Sequence, residues 1–175
     1  PFRITADAFF QNNTAGAEAL VRLVAEALSP GTGDTLLDAY AGGGLFGLTV
    51  GRAAAEVLAV EAADAAWADL EHNAAAAPMP VRVIAGTVEE ALPHLESRWD
   101  LVVADPPRTG LGEGGVRAVA AGKPRALAYV SCDPASLARD TRALAAAGYR
   151  LDGAVPVDLF PQTFHIETVA AFCSR

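Results

Sequence analysis

Cys132 is a candidate nucleophile because of its place in the run YVSCDPASLARD, which spans residues 129–140. The apolar residues before it are typical of a buried strand, while Asp133 is a favourable N-cap and Pro134 suits the first position of a helix. We therefore expect Cys132 just before a helix N-terminus, where the helix dipole modestly favours a thiolate. A buried, inert cysteine is the alternative, because free Cys also packs like a small apolar residue.

Other polar side chains follow apolar runs elsewhere in the chain. Asp38 and Tyr40 follow one such run, Glu61 ends the next, and Asp105 follows a third. A carboxylate at the position of Glu61 can accept hydrogen bonds from both hydroxyls of an adenosine ribose, which NAD and S-adenosylmethionine share. A helix-capping or surface acid is the alternative interpretation of Glu61.

Two short motifs between these runs are typical of ligand-binding loops. The run DAYAGGGLFG (38–47) contains Gly42 and Gly44, and glycines let the backbone approach a ligand closely. No Gly-Lys-Ser/Thr phosphate loop is present, which disfavours a nucleoside triphosphatase. The run DPPR (105–108) holds two prolines, which fix a rigid loop able to hold a flat base, although an ordinary turn would also explain them.

The elements that must position these residues alternate along the chain. A helix is predicted over Thr14–Leu28, and helical segments are predicted over Asp64–Ala76 and Pro134–Ala147. Strands are predicted at Thr35–Ala39, Val57–Val60, Val81–Ala85, Leu101–Ala104, Ala126–Val130, Val155–Phe160 and Ile166–Phe172. This alternation predicts an α/β fold with a doubly wound, mainly parallel sheet and helices on both faces. Ligands bind outside the carboxyl ends of such strands, where the candidate residues fall.

Composition narrows the class of protein further. A length of 175 residues, 52% of them apolar, suits one domain with a single core. Two cysteines and the lack of a leader or a long apolar span argue against disulfide scaffolding, secretion and membrane crossing, so we expect a cytoplasmic protein.

The charge balance bears on nucleic-acid binding. The net charge of −8 argues against a protein that grips nucleic acid over its whole surface. A local basic mouth stays open as a hypothesis, and ordinary solvated charge is its alternative. The residues that would form this mouth are Arg108, Arg125, Arg139 and Arg142.

Six motifs, taken in order, resemble the catalytic domain of the RNA uracil-C5 methyltransferases, which form 5-methyluridine. They are FFQNN (9–13), DAYAGGGLFG, AVEAAD, DPPR, YVSCDPASLARD and LFPQTFHIE (159–167). The resemblance covers nearly the whole chain, and its last two motifs are far more specific than the glycine turn. It implies a Rossmann-like class I methyltransferase fold that transfers a methyl group from S-adenosylmethionine to uridine C5, through a covalent cysteine adduct at C6.

The same resemblance implies roles for individual residues. Cys132 matches the nucleophile, and Glu167 matches the base that removes the C5 proton. The positions matching contacts to S-adenosylmethionine are Gln11, Tyr40, Gly42, Gly44, Glu61, Asp105 and, in the loop after the third strand, Thr87. His165 is interpreted as a hydrogen-bonded histidine, with orientation of Glu167 or contact with RNA as the alternatives, and Cys173 is interpreted as a core residue.

The implied partner is an RNA loop, in tRNA or 23S-type rRNA, that contains the target uridine; no metal and no membrane are implied. Full-length members of the resembled family carry an N-terminal RNA-binding barrel, which does not fit within this chain. We therefore expect residues 1–175 to be the methyltransferase domain, the C-terminal part of a longer enzyme. The chain departs from the family pattern at Ala41, where cysteine is common, and at Leu45, where a small polar residue often touches the methyl donor.

Alternative functions are distinguished by the residues they require at particular positions. Cytosine-C5 methyltransferases place a cysteine, and amino-group methyltransferases an aromatic residue, where this chain has Arg108. A non-catalytic S-adenosylmethionine- or RNA-binding module of the same fold is the main alternative, and retention of both Cys132 and Glu167 argues against it. A dinucleotide oxidoreductase is a further alternative, suggested by the glycine turn alone.

Overall fold

The computed structural model describes residues 2–6, 8–96 and 98–175. Their strands form one central sheet. Its seven strands are β1 (Thr35–Asp38), β2 (Glu56–Glu61), β3 (Val81–Ala85), β4 (Leu101–Ala104), β5 (Ala126–Ser131), β6 (Tyr149–Val157) and β7 (Glu167–Ser174). Their spatial order is β3-β2-β1-β4-β5-β7-β6. The first five strands are parallel, and β7 runs antiparallel to both β5 and β6.

Helices cover both faces of this sheet, as the doubly wound prediction requires. They are α1 (Thr14–Leu28), α2 (Gly47–Val50), α3 (Asp64–Ala74), α4 (Val88–Ala91), α5 (Gly112–Ala120) and α6 (Pro134–Ala146). Successive strand residues point to opposite faces, so Leu36 packs in the core beneath α1, α2 and α3, while Leu37 packs in the core beneath α4, α5 and α6.

Two helix boundaries follow directly from their capping residues. Asn13 caps α1 by accepting a hydrogen bond from the Gly16 N–H at 3.0 Å. Asp133 caps α6 in the same way, accepting from the Ser136 N–H at 2.6 Å, with Pro134 at the first helical position. Both helices begin where the sequence predicts, and Cys132 therefore lies one residue before the N-cap of α6.

The predicted strand at Val155–Phe160 is wrong in its bounds. Strand β6 runs over Tyr149–Val157, with an irregular register between Leu151 and Gly153. It is the edge strand, where Pro156 is tolerated because one side of the strand needs no ladder hydrogen bond. Most of its residues are exposed, so no apolar run marks its beginning.

Cys173 is not enclosed in the core as predicted. It lies half-buried on β7, where its Sγ accepts a hydrogen bond from Arg150 Nη2 at 3.2 Å. In the part of the chain that the structure describes, no helix has the length and apolar character needed to cross a membrane.

Candidate functional site

The sheet has a switch point at its centre, where the strand order changes direction. Strand β1 lies between β2 and β4, and all three run parallel. Because β5 also runs parallel to β4, the carboxyl ends of these strands meet at one edge of the sheet. That edge holds Asp38, Glu61, Asp105 and Cys132, as the sequence predicts.

The glycine turn after β1 is tied to the end of β2 through Glu61. Glu61 Oε2 accepts from the Gly42 N–H at 2.7 Å, and its Oε1 accepts from the Ala63 N–H at 2.7 Å. Gly44 has a φ of 96°, and a Cβ there would lie 2.6 Å from Leu48 Cδ1. A side chain at position 44 would therefore disrupt the turn, while Glu61 is held in one orientation by the backbone.

Asp38, the last residue of β1, binds the backbone of the same glycine turn. Its side chain is fully buried, and Oδ2 accepts from the Gly47 N–H at 2.7 Å. Burial raises the pKa of Asp38 to about 7, opposed by the Gly47 hydrogen bond and reinforced by the charge of Glu61. Its Oδ1 is buried and has no hydrogen-bond partner among the described residues.

The segment before α1 is fastened to the glycine turn through α3. Asn73 Nδ2 donates to the Gly43 carbonyl at 2.8 Å and to the Arg3 carbonyl at 3.0 Å. Asp69 accepts from the Thr5 hydroxyl at 2.8 Å. Asp69 and Asn73 are not among the residues predicted from the sequence. The pattern that could have indicated them is a pair of polar residues, four apart, on the buried face of a helix.

Gln11 follows this fastened segment and is itself only 6% exposed. Its Oε1 is another buried atom for which the described residues provide no hydrogen bond. A buried amide oxygen left unpaired is costly, so this atom is available to a ligand.

A cavity of about 220 Å³ opens at the carboxyl ends of β1 and β2. Tyr40, Glu61 and Thr87 line it together, with Pro107 and Gly110 from the loop after β4. Thr87 also caps α4, its hydroxyl accepting from the Glu90 N–H at 3.3 Å. Gln11, Gly42, Gly44 and Asp105 do not line this cavity.

A larger cavity, of about 430 Å³, lies between α1 and the residues around Leu45. Its walls are mainly apolar, and it contains none of the strand-end residues. Leu45 packs there instead of facing the smaller cavity. We therefore place the candidate site at the smaller cavity, where the polar groups converge.

Asp140 fixes the loop that forms one wall of this site. Its carboxylate accepts from the Leu111 N–H at 2.7 Å, the Gly112 N–H at 3.2 Å and the Tyr129 hydroxyl at 2.9 Å. Arg139 Nη2 adds an ion pair to it at 2.8 Å. The sequence analysis missed Asp140, although a carboxylate on the buried face of an amphipathic helix is itself a signal of a buried network.

Four ionisable groups act on one another near the ends of β5 and β7: Cys132, Glu167, Arg108 and Asp105. Ser131 pairs with Thr168, so Cys132 and Glu167 lie on adjacent strand ends. Burial raises the pKa of the Cys132 thiol, the charge of Glu167 raises it further, and the Arg108 guanidinium lowers it. The helix terminus therefore does not give Cys132 a low pKa, because burial and a neighbouring carboxylate oppose it.

Burial raises the pKa of both carboxyl groups in this cluster. Burial raises the pKa of Glu167, against the effect of Arg108, and Glu167 is only 6% exposed. Burial raises the pKa of Asp105 to about 8, with the charges of Glu167 and Asp38 acting in the same direction. At neutral pH Asp105 therefore carries a proton and can donate as well as accept a hydrogen bond.

The hypothesis of a four-arginine basic mouth is wrong. Arg125 precedes β5, at the opposite edge of the sheet from Cys132, and pairs with Asp34 at 2.6 Å. Arg139 is engaged by Asp140 and by the Thr109 carbonyl. Arg108 is the guanidinium that acts on Cys132 and Glu167.

Substitution of Arg108 by glutamine is expected to shift the titration of Cys132 to higher pH. Arg108 lowers the pKa of this thiol, so its loss leaves burial and Glu167 less opposed and reduces the thiolate fraction at any given pH. The measurement is the iodoacetamide alkylation rate against pH, in a Cys173→Ala background so that only one thiol reacts.

Two variants control this experiment. Glu167→Gln removes a charge that raises the thiol pKa and is expected to shift the profile the other way. Arg142→Gln removes the same charge from an exposed position on α6 and is expected to leave the profile unchanged. Equal profiles for Arg108→Gln and Arg142→Gln would contradict the assignment of Arg108.

Comparison with known proteins finds matches over nearly the whole chain. The family model described as tRNA (Uracil-5-)-methyltransferase matches residues 1–174. A relative from Lactococcus lactis, named an uncharacterized RNA methyltransferase, is 41% identical over 98% of this chain and 38% of its own length. One from Gloeobacter violaceus with the same description is 44% identical over 97% of this chain and 37% of its own length. The chain thus spans little more than a third of these curated relatives.

Solved structures agree with the fold described above. Pyrococcus abyssi tRNA (uracil-54, C5)-methyltransferase, in complex with S-adenosyl-L-homocysteine, matches with a TM-score of 0.81 and 32% identity, over 95% of this chain and 40% of that chain. Precorrin-6y C5,15-methyltransferase from Geobacter metallireducens matches with a TM-score of 0.78 over 99% of this chain and 94% of that chain. At 13% identity, the second match shows the fold alone. The predicted Rossmann-like methyltransferase fold is confirmed.

Proposed function

Because the chain belongs to the tRNA (uracil-5-)-methyltransferase family, we propose that it transfers a methyl group from S-adenosylmethionine to C5 of a uridine in tRNA or rRNA. The observation that carries this proposal is that a thiol, Cys132, and a buried carboxylate, Glu167, lie on adjacent strand ends, at the same edge of the sheet as the cavity that Glu61 lines. This pair supplies both the nucleophile and the base that C5 methylation of a pyrimidine needs.

The groups around the cavity fit S-adenosylmethionine. Two backbone N–H groups fix the Glu61 carboxylate, and each of its oxygens keeps a lone pair for a ribose hydroxyl. Asp38 Oδ1 and Gln11 Oε1 are buried acceptors without a partner among the described residues, as expected where a ligand completes the hydrogen bonds. When bound, S-adenosylmethionine supplies an electrophilic methyl group. The remaining residues proposed to hold it are Tyr40, Gly42, Gly44, Thr87 and Asp105.

Cys132 is proposed to activate the uracil ring, whose C5 is a poor nucleophile. Its thiolate forms a bond to C6, and the electron pair of the C5–C6 double bond moves into an enolate across C5 and O4. C5 then carries the electron density needed to accept the methyl group. Arg108 favours the thiolate form that this step requires.

Glu167 is proposed to complete the reaction by removing a proton. After methylation, C5 carries both a hydrogen and the new methyl group. The carboxylate takes the C5 proton, the C5–C6 double bond re-forms and the thiolate of Cys132 leaves. Burial raises the pKa of Glu167, which makes its carboxylate a stronger base than a solvent-exposed one.

Residues 1–175 are proposed as the catalytic, C-terminal part of a longer enzyme whose RNA-binding domain lies outside this chain. The chain's share of its relatives, 38% and 37%, supports a longer parent protein. The net charge of −8 agrees with much of the RNA affinity lying in another domain. The proposed compartment is the cytoplasm, where RNA is present and the Cys132 thiol stays reduced.

Substitution of Glu61 by alanine is expected to weaken S-adenosylmethionine binding by about 10- to 100-fold, because hydrogen bonds from two hydroxyls to a charged group are lost. Titration calorimetry measures this directly. Glu56→Ala removes the same charge from the other end of β2 and is expected to bind normally. Equal affinities for the two variants would contradict the role of Glu61, and the melting temperature of each checks that the glycine turn survives.

The proposed function is tested by incubating the protein with methyl-labelled S-adenosylmethionine and mixed tRNA and rRNA, then digesting the RNA to nucleosides. We expect the label in 5-methyluridine. Label in methylcytidine or an N-methylated base would reject the proposed position. Binding of S-adenosylmethionine with no label in any RNA would favour the non-catalytic module instead.

A further inference from the structure

Phe164 is an apolar side chain that the fold leaves in solvent. It is 89% exposed, more than the other exposed large apolar residues described, of which Phe9 reaches 71% and Leu151 43%. It lies in the segment 158–166, which joins β6 to β7 and is neither helix nor strand. Exposure of a whole aromatic ring is unfavourable in water, so this ring is a candidate for contact with a partner.

The Phe164 ring belongs to a small aromatic array. Its centroid lies 4.2 Å from that of the His165 ring, with 41° between the ring planes. The His165 ring in turn meets Phe160 edge-on, at 6.3 Å and 78°. One side of the Phe164 ring therefore rests against another ring, while most of its surface remains free.

A hydrogen-bonded turn holds this array in place. The Thr163 hydroxyl donates to the Phe160 carbonyl at 2.7 Å and accepts from the His165 N–H at 3.2 Å. Leu159, just before the turn, is only 2% exposed, and its carbonyl accepts from Asn13 Nδ2 at 3.0 Å. The exposed ring is thus presented on an anchored segment.

The array stands beside the proposed reaction centre. Phe164 lies three residues before Glu167, which begins β7 and neighbours the end of β5. No Asp or Glu occurs between residues 159 and 166, and Glu167 itself is buried. The one acid of the segment 158–166 is Asp158, which precedes the buried Leu159 and lies six residues before Phe164, so no carboxylate of this segment adjoins the ring in sequence.

We propose that Phe164 stacks on an RNA base next to the target uridine, with His165 supporting the ring from the other side. This inference rests on the proposed function. A uridine inside a stacked strand cannot reach Cys132, so it must leave the stack and expose the faces of its neighbours. An exposed aromatic ring at the mouth of the site replaces the lost stacking, whatever the neighbouring base is.

A protein partner fits the same surface less well. A specific protein interface buries about 1,200–2,000 Å² in total and has an apolar core. Here the exposed residues before Phe164 are Pro161, Gln162 and Thr163, and the apolar Ile166 after it is 37% exposed, so the apolar patch is one ring and part of one aliphatic side chain. A single exposed ring is large enough to stack on one RNA base but not to form the core of a protein interface.

The test uses two short single-stranded RNAs, each with one uridine. In the first, 2-aminopurine flanks the uridine on both sides; in the second, abasic sites replace the flanking bases. We compare the unsubstituted chain with Phe164→Ala, Phe164→Leu and Phe164→Trp. Leu151→Ala, on the exposed edge strand β6, is the matched control. Anisotropy gives the Kd, and 2-aminopurine quenching reports stacking.

On the first RNA, we expect Phe164→Ala and Phe164→Leu to raise the Kd by about 5- to 100-fold and to reduce quenching, because base stacking is lost. Phe164→Trp and Leu151→Ala are expected to bind within about threefold of the unsubstituted chain, since an aromatic face is retained or untouched. On the abasic RNA the cost of Phe164→Ala is expected to disappear. Melting temperatures close to that of the unsubstituted chain exclude misfolding as the cause.

Other outcomes overturn the inference. Leucine binding as well as phenylalanine, or an equal penalty on the abasic RNA, would show that the ring does not stack on a base. Unchanged RNA affinity of Phe164→Ala, together with loss of self-association, would assign the ring to a protein contact. Absence of RNA binding by the unsubstituted chain would overturn the stacking role, and the assay for 5-methyluridine would then decide the proposed function separately.

Parallel assays for 5-methyluridine keep the two proposals apart. Methylation by the unsubstituted chain, with no change of affinity in Phe164→Ala, would remove the stacking role alone. Stacking without methylation would remove the proposed function, and with it the placement of the stacked base beside a target uridine, and would leave Phe164 as an RNA-binding residue of a non-catalytic module. If both hold, Phe164→Ala is expected to raise KM for the RNA while kcat at saturating RNA stays close to that of the unsubstituted chain.

Discussion

Cys132→Ala is expected to abolish methyl transfer, lowering the rate by about 10⁴-fold or more, in the range seen when a covalent nucleophile is removed. No other described thiol can replace it, because Cys173 lies far along β7 and contacts Arg150. Affinity for S-adenosylmethionine is expected to stay within about threefold, since position 132 does not line the cavity that Glu61 shares with Tyr40.

Cys173→Ala provides the matched control for this experiment. It makes the same chemical change at a half-buried site on β7, and its turnover is expected to be normal. Cys132→Ser is a second check, because serine fills almost the same volume but is a far weaker nucleophile at neutral pH. Methyl transfer retained in either Cys132 variant would remove the nucleophile assignment.

Glu167→Gln is expected to stop the reaction one step later and to trap protein on RNA. The amide cannot take the C5 proton, so the methylated adduct cannot expel Cys132. Turnover is expected to fall by about 10²- to 10⁴-fold, the usual contribution of a general base. A denaturing gel is expected to show a covalent protein–RNA complex that forms only when S-adenosylmethionine is present.

The amide is a close match in shape for the buried carboxylate, so the fold is expected to survive this change. Glu113→Gln, which alters an exposed acid in the first turn of α5, serves as the control and is expected to turn over normally. Normal turnover by Glu167→Gln, or a complex that forms equally well with Glu113→Gln, would contradict the role of Glu167.

Much of the fold follows from the sequence because the parallel strands are short, mainly apolar runs, and all of them except the edge strand β3 are largely buried. The predicted β3 at Val81–Ala85 and β4 at Leu101–Ala104 match the structure residue for residue. The strand ends carry the polar residues that the site needs, so the edge where they meet is also predictable. Capping residues fix the ends of α1 and α6 just as directly.

Elements without a regular apolar pattern could not be predicted from the sequence. Helix α5 has the sequence GEGGVRAVA, whose glycines weaken helix propensity. Tertiary contacts stabilise it, since Asp140 accepts hydrogen bonds from its first turn and Trp99 Nε1 donates to the Val119 carbonyl at 2.8 Å. Edge strand β6 was displaced in the prediction because exposure removes the alternation that marks a strand.

The electrostatics of the site could not be predicted from motifs. A cysteine before a helix suggests a lowered pKa, but the structure half-buries Cys132 and places the buried Glu167 beside it. The sequence also cannot show that Arg125 lies at the far edge of the sheet while Arg108 faces the thiol. Such pairings depend on which strand ends meet, and β7 reaches Cys132 only by inserting between β5 and β6.

The most direct test of the central claim is the intact mass of the protein after incubation with S-adenosylmethionine and short RNAs that contain 5-fluorouridine. Fluorine cannot leave C5 as a cation, so the reaction stops at the methylated adduct. We expect a species heavier than the protein by one RNA and one methyl group, and we expect peptide analysis to map the attached RNA to Cys132. A protein that binds S-adenosylmethionine and these RNAs yet forms no adduct, or forms it on Cys173, would contradict the account.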